Sequence, residues 1–292
     1  MWFQDFEQSL DYRREMAANV CHIAEQASER ITQGLQHRQD LRIETKGRND
    51  YVTNLDKELD AFVVSELRKL YPEIGAISEE GNPMTGGRYD AGYYWVIDPI
   101  DGTTNFIHGA GPVAVSIGLM AVTSEEQKFP LGVIGEVTRR ELFSAVQGGG
   151  AFCNGVPIHV TDCELLADAF VATGFPYQDY GKLKSLMETL EYVIAHSTGV
   201  RRLGSAATDI AYVAAGRFDA FYEYGLHIWD IAAGIAIAQE AGARFCDFSG
   251  GASYTKATEV ICAAPKLLDE LRENIQHFMT PHPRFTLADL CL

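Results

Sequence analysis

Two carboxylates three residues apart, Asp98 and Asp101, stand just ahead of a glycine and two hydroxyl residues. The stretch reads Trp95-Val-Ile-Asp98-Pro-Ile-Asp101-Gly-Thr-Thr-Asn105-Phe. Tyr93 to Ile97 has the composition of a buried strand. Pro99 is expected to end it near Asp98, because proline cannot donate to a central ladder. Gly102, Thr103 and Thr104 then supply the chemistry of a tight turn leading into a helix N-terminus. Carboxylates at the carboxyl end of a strand, facing free backbone N–H groups, can hold a hard cation and a phosphate together. Two more acids sit at similar places. Glu79 follows the apolar run Ile74 to Ser78, and Asp230 opens Trp229-Asp-Ile-Ala-Ala-Gly234. Either alone reads more readily as a cap or a solvated surface charge than as a ligand. Together, three or four carboxylates could hold two ions about 3.5–4 Å apart, the arrangement that serves in-line phosphoryl displacement.

The rest of the sequence removes several competing chemistries. The 292 residues carry a net charge of -16, which argues against a nucleic-acid backbone or an anionic membrane as main partner. A phosphorylated small substrate stays open, because bound divalent cations invert the local potential. No His pair has zinc spacing, and no P-loop, GxSxG elbow or EF-hand loop is present. The six cysteines form no CxxC pair and read as reduced, mostly buried thiols. The first residues lack a basic region and an apolar core, and no apolar run reaches about 18 residues. The expected location is the cytoplasm.

These residues need elements to position them. Apolar residues from Phe3 to Leu35 recur at helical spacing, giving a long helix with a break expected near Gly34. Leu41 to Thr45 reads as a short strand, Asn54 to Leu70 as a helix, and Gly81 to Gly92 as a loop. Val113 to Val122, Leu131 to Val137 and Leu142 to Val146 read as antiparallel strands. Gly148-Gly149-Gly150 is the expected lobe boundary, dividing 1–150 from 151–292 within one functional unit. The second half alternates. Strands are expected at Phe170 to Thr173, Val200 to Leu203, Phe218 to Tyr222, Ala243 to Cys246 and Glu259 to Ala263. Helices are expected at Lys182 to His196, Ser205 to Ala215, Trp229 to Ala241 and Pro265 to Phe278. This alternation implies an α/β layer with a partly parallel sheet. The Pro-rich tail from Pro281 reads as a surface segment.

Asp98-Pro-Ile-Asp-Gly-Thr-Thr-Asn105-Phe resembles the first signature of the inositol monophosphatase family, and Trp229-Asp230-Ile-Ala-Ala-Gly234 resembles the second. Glu79-Glu80, Lys46 to Asp56, Gly174-Phe-Pro-Tyr177 and Gly204-Ser-Ala-Ala207 are similar to further family motifs in the same order, so the likeness runs from about residue 5 to 275. The resemblance implies an αβαβα sandwich of the inositol monophosphatase and fructose-1,6-bisphosphatase type. It implies a Mg²⁺-dependent, Li⁺-sensitive phosphomonoester hydrolase using two or three ions, commonly a cytosolic homodimer. Metal ligands would be Glu79, Asp98, Asp101, Asp230 and the main-chain carbonyl of Ile100. Glu79, Thr103 and Asp101 would be catalytic, Thr103 and Glu79 orienting the attacking water. Gly102 and Thr103 would hold phosphate oxygens through their amides. Gly204, Ala206, Glu223 and Asp230 would face the substrate alcohol, and Asp50, Asp56 and Glu80 would stand behind the metal ligands, with Asp50 and Asp56 supporting a weaker third ion.

The expected reaction is hydrolysis of inositol-1-phosphate or a similar small sugar phosphate by a metal-activated water. A bisphosphate nucleotide, fructose-1,6-bisphosphate or histidinol phosphate is the alternative with the same chemistry. A non-catalytic regulatory protein on this scaffold is the reading from a different class. Where many relatives continue His-Gly-aromatic-Pro, this chain has His108-Gly-Ala-Gly-Pro112, which leaves substrate fit open. His108 and His227 read as structural, and Arg201-Arg202 as a charged face or a reach toward substrate or partner.

Overall fold

Side-chain alternation along the strands sorts the molecule into layers. The computed structural model describes residues 2–47, 50–81, 90–176, 179–256 and 258–279. In the strand Gly92–Asp101, Trp95 and Ile97 pack with Val20, Ile23, Leu59 and Val63 of the helices Leu10–Gln36 and Asn54–Leu70. Val96 points the other way, into a core shared with the helices Ala206–Ala214 and Ile228–Glu240. The second sheet repeats the pattern. Phe221 of strand Ala220–Tyr224 faces those same two helices, while Ala220 and Tyr222 face Leu186 and Val193 of helix Leu183–His196 and Leu271 of helix Leu268–Met279. Period-two burial in strands sandwiched between helices therefore gives five layers, αβαβα. This is the architecture the sequence resemblance implied.

Among the described residues the first sheet has seven strands, ordered Gly75–Ser78, Gly92–Asp101, Ala114–Val122, Gln127–Glu136, Glu141–Val146, Gly150–Cys153 and Val156–Pro157. Only its first pair is parallel. The five-stranded sheet runs Gly199–Arg201, Phe170–Thr173, Ala220–Tyr224, Glu259–Ala263 and Arg244–Cys246, with Phe170–Thr173 parallel to both neighbours.

The Ile228–Glu240 helix sits unusually close to the first sheet, and the sequence explains why. A Cβ on Gly132 would lie 2.3 Å from the Ala233 carbonyl oxygen, and one on Gly118 2.8 Å from the Ala233 nitrogen. On the helix's other side a Cβ on Gly234 would lie 2.9 Å from Ile210. Backbone-to-backbone approach needs small residues on both surfaces. Ala232-Ala233-Gly234 thus seats the helix, and the seat fixes where Asp230, in its first turn, ends up.

Three local expectations give way to tertiary context. The N-terminal helix breaks at Ser9, not near Gly34: Trp2–Gln8 is followed by Leu10–Gln36, capped by Ser9, whose hydroxyl accepts from the Tyr12 amide at 3.2 Å. Gly34 continues the helix because a Cβ there would lie 2.6 Å from Leu55 and 2.9 Å from Phe106. The central strand does not end at Pro99 but runs to Asp101. Its register against Ala114–Val122 slips between Asp98 and Asp101, so the proline sits in a bulge where no ladder donor is needed. Gly148 to Gly150 make the turn between two strands of one sheet, and the second sheet starts only at Phe170.

The five described cysteines are free thiols. No helix of the described residues is long and apolar enough to cross a membrane. The body of the expected loop 81–92, Tyr177 and the Pro281 tail with Cys291 lie outside the described residues.

Candidate active site

The bulge at Pro99 turns Asp98 and Asp101 toward the same side of the strand end. Asp98 is 2% exposed and Asp101 7%. The seated helix brings Asp230 over them, so that one ligand oxygen from each carboxylate lies within 4.8 Å of the others. One oxygen of every member is anchored. The Ile100 amide donates to Asp98 Oδ1 at 3.0 Å. The His227 amide donates to Asp230 Oδ2 at 2.7 Å. Asp101 Oδ2 accepts from the Ser205 hydroxyl at 2.5 Å and from the Ala207 amide at 2.8 Å. Asp101 therefore reaches across the sheets to the N-terminus of helix Ala206–Ala214, where Ser205 is the cap.

These groups wall a cavity of about 690 Å³ that also includes Lys46, Glu79, Ile100, Gly102, Thr103 and Thr104 on one side. Gly204, Ser205, Ala206, Arg202, Glu223 and Lys256 complete the other side. Every expected metal or substrate residue thus meets at one place, drawn from both halves of the chain. Of the three acids expected behind them, Asp56 and Glu80 are described in full. Asp50 opens the strand Asp50–Thr53, and the expectation for its side chain lies outside what is described.

Glu79 reaches the cavity by a different contact from the one expected. The Lys46 ammonium lies 3.1 Å from Glu79 Oε1 and also pairs with Glu80. Glu79 is accordingly not a member of the tight Asp98–Asp101–Asp230 group. Burial still pushes its carboxyl up, to about 7, outweighing Lys46, and the neighbouring Glu80 and Asp56 add to the rise.

Asp56 closes a capping box with Thr53, accepting the Thr53 amide at 2.8 Å and its hydroxyl at 2.5 Å. Its other oxygen faces the Thr103 hydroxyl at 3.3 Å, which also lies 2.9 Å from the Ile100 carbonyl. The helix Thr103–His108 begins after Gly102. A φ of 88° there, and the 3.0 Å at which a Cβ would approach the Pro112 carbonyl oxygen, leave no room for another residue. Its first intrahelical bond runs from the Phe106 amide to the Gly102 carbonyl, so the amides of Thr103, Thr104 and Asn105 precede the ladder.

The substrate-facing side carries its own electrostatics. A Cβ on Gly174 would lie 2.0 Å from the Glu223 carboxylate, so the glycine makes room for that side chain. Burial pushes Glu223 up to about 8, opposed by Arg202. Burial likewise raises Asp98 well above the carboxylate range, helped by Glu79, Asp101 and Asp230, and raises Asp230 in the same way. Asp101 rises less, to about 6, because the Ser205 hydroxyl and the helix amides favour its charged form.

Lys46 and Ser205 stood inside motifs of the sequence with no site role given to them, and Lys256 carried no local signal; long-range packing makes all three cavity residues. Arg202 lines the cavity, whereas Arg201 stacks on Phe170 with its guanidinium carbon 4.7 Å from the ring centre. Asn105 holds two motifs together, its amide donating to the Pro112 and Leu203 carbonyls, each at 2.9 Å. His227 stacks on Trp229 with ring centres 4.7 Å apart while also lining the cavity, and His108 lies exposed at the end of its short helix.

The donor set fits a hard divalent cation. Three carboxylates have converging oxygens, each held by a neighbouring donor, and Asp98 and Asp230 are raised further by the charge of the acids around them. The three carboxylates form a like-charged group, while Lys46, Arg202 and Lys256 stand elsewhere on the cavity wall. The model of the inositol monophosphatase family matches residues 12–279. The chain is 40% identical over 253 residues to the Nus factor SuhB of Pasteurella multocida (strain Pm70), covering 87% of this chain and 92% of that protein. It is 38% identical over 239 residues to the inositol-1-monophosphatase of Rhizobium meliloti (strain 1021), covering 82% and 87%. The crystal structure of the extragenic suppressor protein suhB from Bartonella henselae superposes with a TM-score of 0.82 at 34% identity, covering 90% of this chain and 98% of that one.

Proposed function

Given that the chain belongs to the inositol monophosphatase family, we propose that it is a Mg²⁺-dependent phosphatase that releases phosphate from a small phosphomonoester, foremost inositol-1-phosphate. The observation that carries this reading is the convergence of Asp98, Asp101 and Asp230 beside a helix N-terminus in a cavity large enough for a sugar phosphate. Asp98, Asp101, Asp230, the Ile100 carbonyl and Glu79 would hold two or three Mg²⁺ ions. When bound, Mg²⁺ neutralises the phosphate dianion and lowers the pKa of water.

The chain's own groups do the rest. Thr103 Oγ1, with its proton directed to Ile100 O or Asp56 Oδ1, presents a lone pair that orients a water. Glu79, on the same side of the cavity, orients the same water, and a carboxyl whose pKa lies near 7 can accept its proton. The amides of Gly102 and Thr103 hold phosphate oxygens. Gly204, Ala206 and Glu223 face the alcohol, where the Glu223–Arg202 pair can donate to and accept from neighbouring hydroxyls. Li⁺ competes at the carboxylates, and the enzyme works as a homodimer.

A second reading draws on the relatives named Nus factor SuhB. On it, the scaffold also serves a regulatory role through a partner. The intact carboxylates favour catalysis in either case.

The test is a panel of inositol-1-phosphate, a nucleotide 3′-phosphate, fructose-1,6-bisphosphate and histidinol phosphate, with and without Mg²⁺. Inositol-1-phosphate is expected to give the highest kcat/KM. Better turnover of another member reassigns the substrate. Absence of Mg²⁺-stimulated release from every member defeats the enzyme reading.

A further inference from the structure

The strand Ala220–Tyr224 ends on two residues that both wall the cavity. Glu223 is buried and faces Arg202. Tyr224 is half-buried, and its hydroxyl donates to Asp179 Oδ2. The Gly181 amide donates to Oδ1 of the same carboxylate at 2.8 Å. Asp179 is exposed and lines the cavity, so it stands where the cavity opens to solvent.

A second pair braces the tyrosine. The Lys182 ammonium lies 4.8 Å from the centre of its ring and pairs with Glu259, the residue opposite Tyr224 on the neighbouring strand. The ring cannot swing away without giving up that contact, so the hydroxyl stays on Asp179. The Tyr224 hydroxyl first, and then the Gly181 amide, hold the Asp179 carboxyl below the usual carboxylate range. Burial and the neighbouring Asp179 push the Tyr224 phenol up, which keeps the proton on the tyrosine. The result is a fixed anion on the cavity wall. Each of its oxygens takes one donor from the fold and keeps a lone pair for another.

We propose that Asp179, set by Tyr224, is a specificity-determining residue for the alcohol: it accepts from hydroxyls remote from the phosphate and disfavours a substrate that carries a second anionic group there. The proposal rests on the phosphatase reading and narrows its substrate class to phosphomonoesters of neutral polyols. Asp179 takes no part in holding the cations or the phosphate, so its charge is available to select the alcohol. A hydroxyl that meets it makes a charge-assisted hydrogen bond. A second phosphate that meets it faces a like charge that two donors keep from turning away. Arg202 and Lys256 also line the cavity, so its overall charge does not exclude anions. The selection comes from where the fixed carboxylate stands.

Phosphate release from inositol-1-phosphate and from fructose-1,6-bisphosphate, with Mg²⁺ and with kcat and KM measured separately, tests it. In Asp179→Asn the ratio of kcat/KM for inositol-1-phosphate to that for the bisphosphate is expected to fall at least about tenfold, through KM, with kcat for inositol-1-phosphate changed less than about twofold. Tyr224 is a positioning residue. Tyr224→Phe keeps the ring and the carboxylate but removes the donor, and the ratio should fall about threefold. Glu191→Gln removes one charge from an exposed position on the helix Leu183–His196 and should leave the ratio unchanged. Raising salt from about 0.1 M to about 1 M shortens the screening length from about 10 Å to about 3 Å. That change should narrow the preference in the wild-type chain but not in Asp179→Asn. An unchanged ratio in Asp179→Asn, or a loss confined to kcat, overturns the assignment and leaves the phosphatase reading standing. If the circular dichroism spectrum of Asp179→Asn departs from that of the wild type, the Tyr224→Phe ratio and the wild-type salt series decide, and no change in either overturns the assignment. A wild-type chain that releases phosphate from no small phosphomonoester overturns both.

Discussion

Asp247 and Asp98 are buried to nearly the same degree, 5% and 2% exposed, yet their carboxyls shift in opposite directions. Burial alone would raise both. At Asp247 it is outweighed by donors: the Ser249 amide at 2.9 Å and its hydroxyl at 2.6 Å, the Gly251 amide at 2.8 Å and the Ser253 amide at 3.0 Å. Asp98 accepts one amide and faces Glu79, Asp101 and Asp230. The 247–253 turn is a carboxylate whose demand is met by the fold, and its charge holds a loop. The strand end at Asp98 is a group of carboxylates whose demand the fold leaves open. The difference between a structural acid and a ligand here lies in donor count, in charged neighbours and in depth: Asp98 lies deep beneath the surface, whereas Asp247 is covered by its own turn.

The contrast can be broken by exchanging what each acid does. Asp101→Asn keeps an oxygen for Ser205 and the Ala207 amide but removes charge from the site. It should reduce Mg²⁺-stimulated phosphate release by at least about a thousandfold while leaving the metal-free melting temperature unchanged or higher. Asp247→Ala should do the reverse. Three amides lose their acceptor, so denaturant unfolding should show a loss of about 2–3 kcal/mol, with kcat of the folded protein unaltered.

A smaller effect sharpens the comparison through pH. Glu79 at about 7 and Glu223 at about 8 lie above their unfolded values. Their favourable contribution is complete below the unfolded pKa and is lost as pH rises through 7 and 8. Metal-free protein should therefore melt progressively lower between pH 5.5 and 8.5. Asp247, shifted down, contributes stability above its unfolded pKa and loses it as pH falls further. Mg²⁺ should flatten the alkaline limb only, adding about 2.7 kcal/mol at a hundred times its Kd. A melting curve that does not change with Mg²⁺ at pH 8 would mean that the open demand at Asp98 is not a cation site.

Much of this was legible from the chain alone, and for a local reason. Periodicities of 2 and 3.6 are properties of neighbouring residues, so the helix Asn54–Leu70, the strand Glu259–Ala263 and the antiparallel run from Ala114 to Val146 stood out as patterns. The first signature was legible because strand end, turn and acids are contiguous. What failed were places where distant contacts overrule local preference: a proline carried in a bulge, a glycine kept inside a helix by Leu55 and Phe106, and a triple glycine that turns within one sheet.

The chain by itself determined the acids, the turn that adjoins two of them, the small residues that let a helix lie on a sheet, and the family. Tertiary structure alone decided that Lys46 pairs with Glu79, that the Ser205 cap holds Asp101 from 104 residues away, and that Arg202 rather than Arg201 meets the cavity. A carboxylate's charge and reach are written in its residue type. Which donors and which other charges it meets depends on how two sheets and the helices between them close, and no window of neighbouring residues contains that.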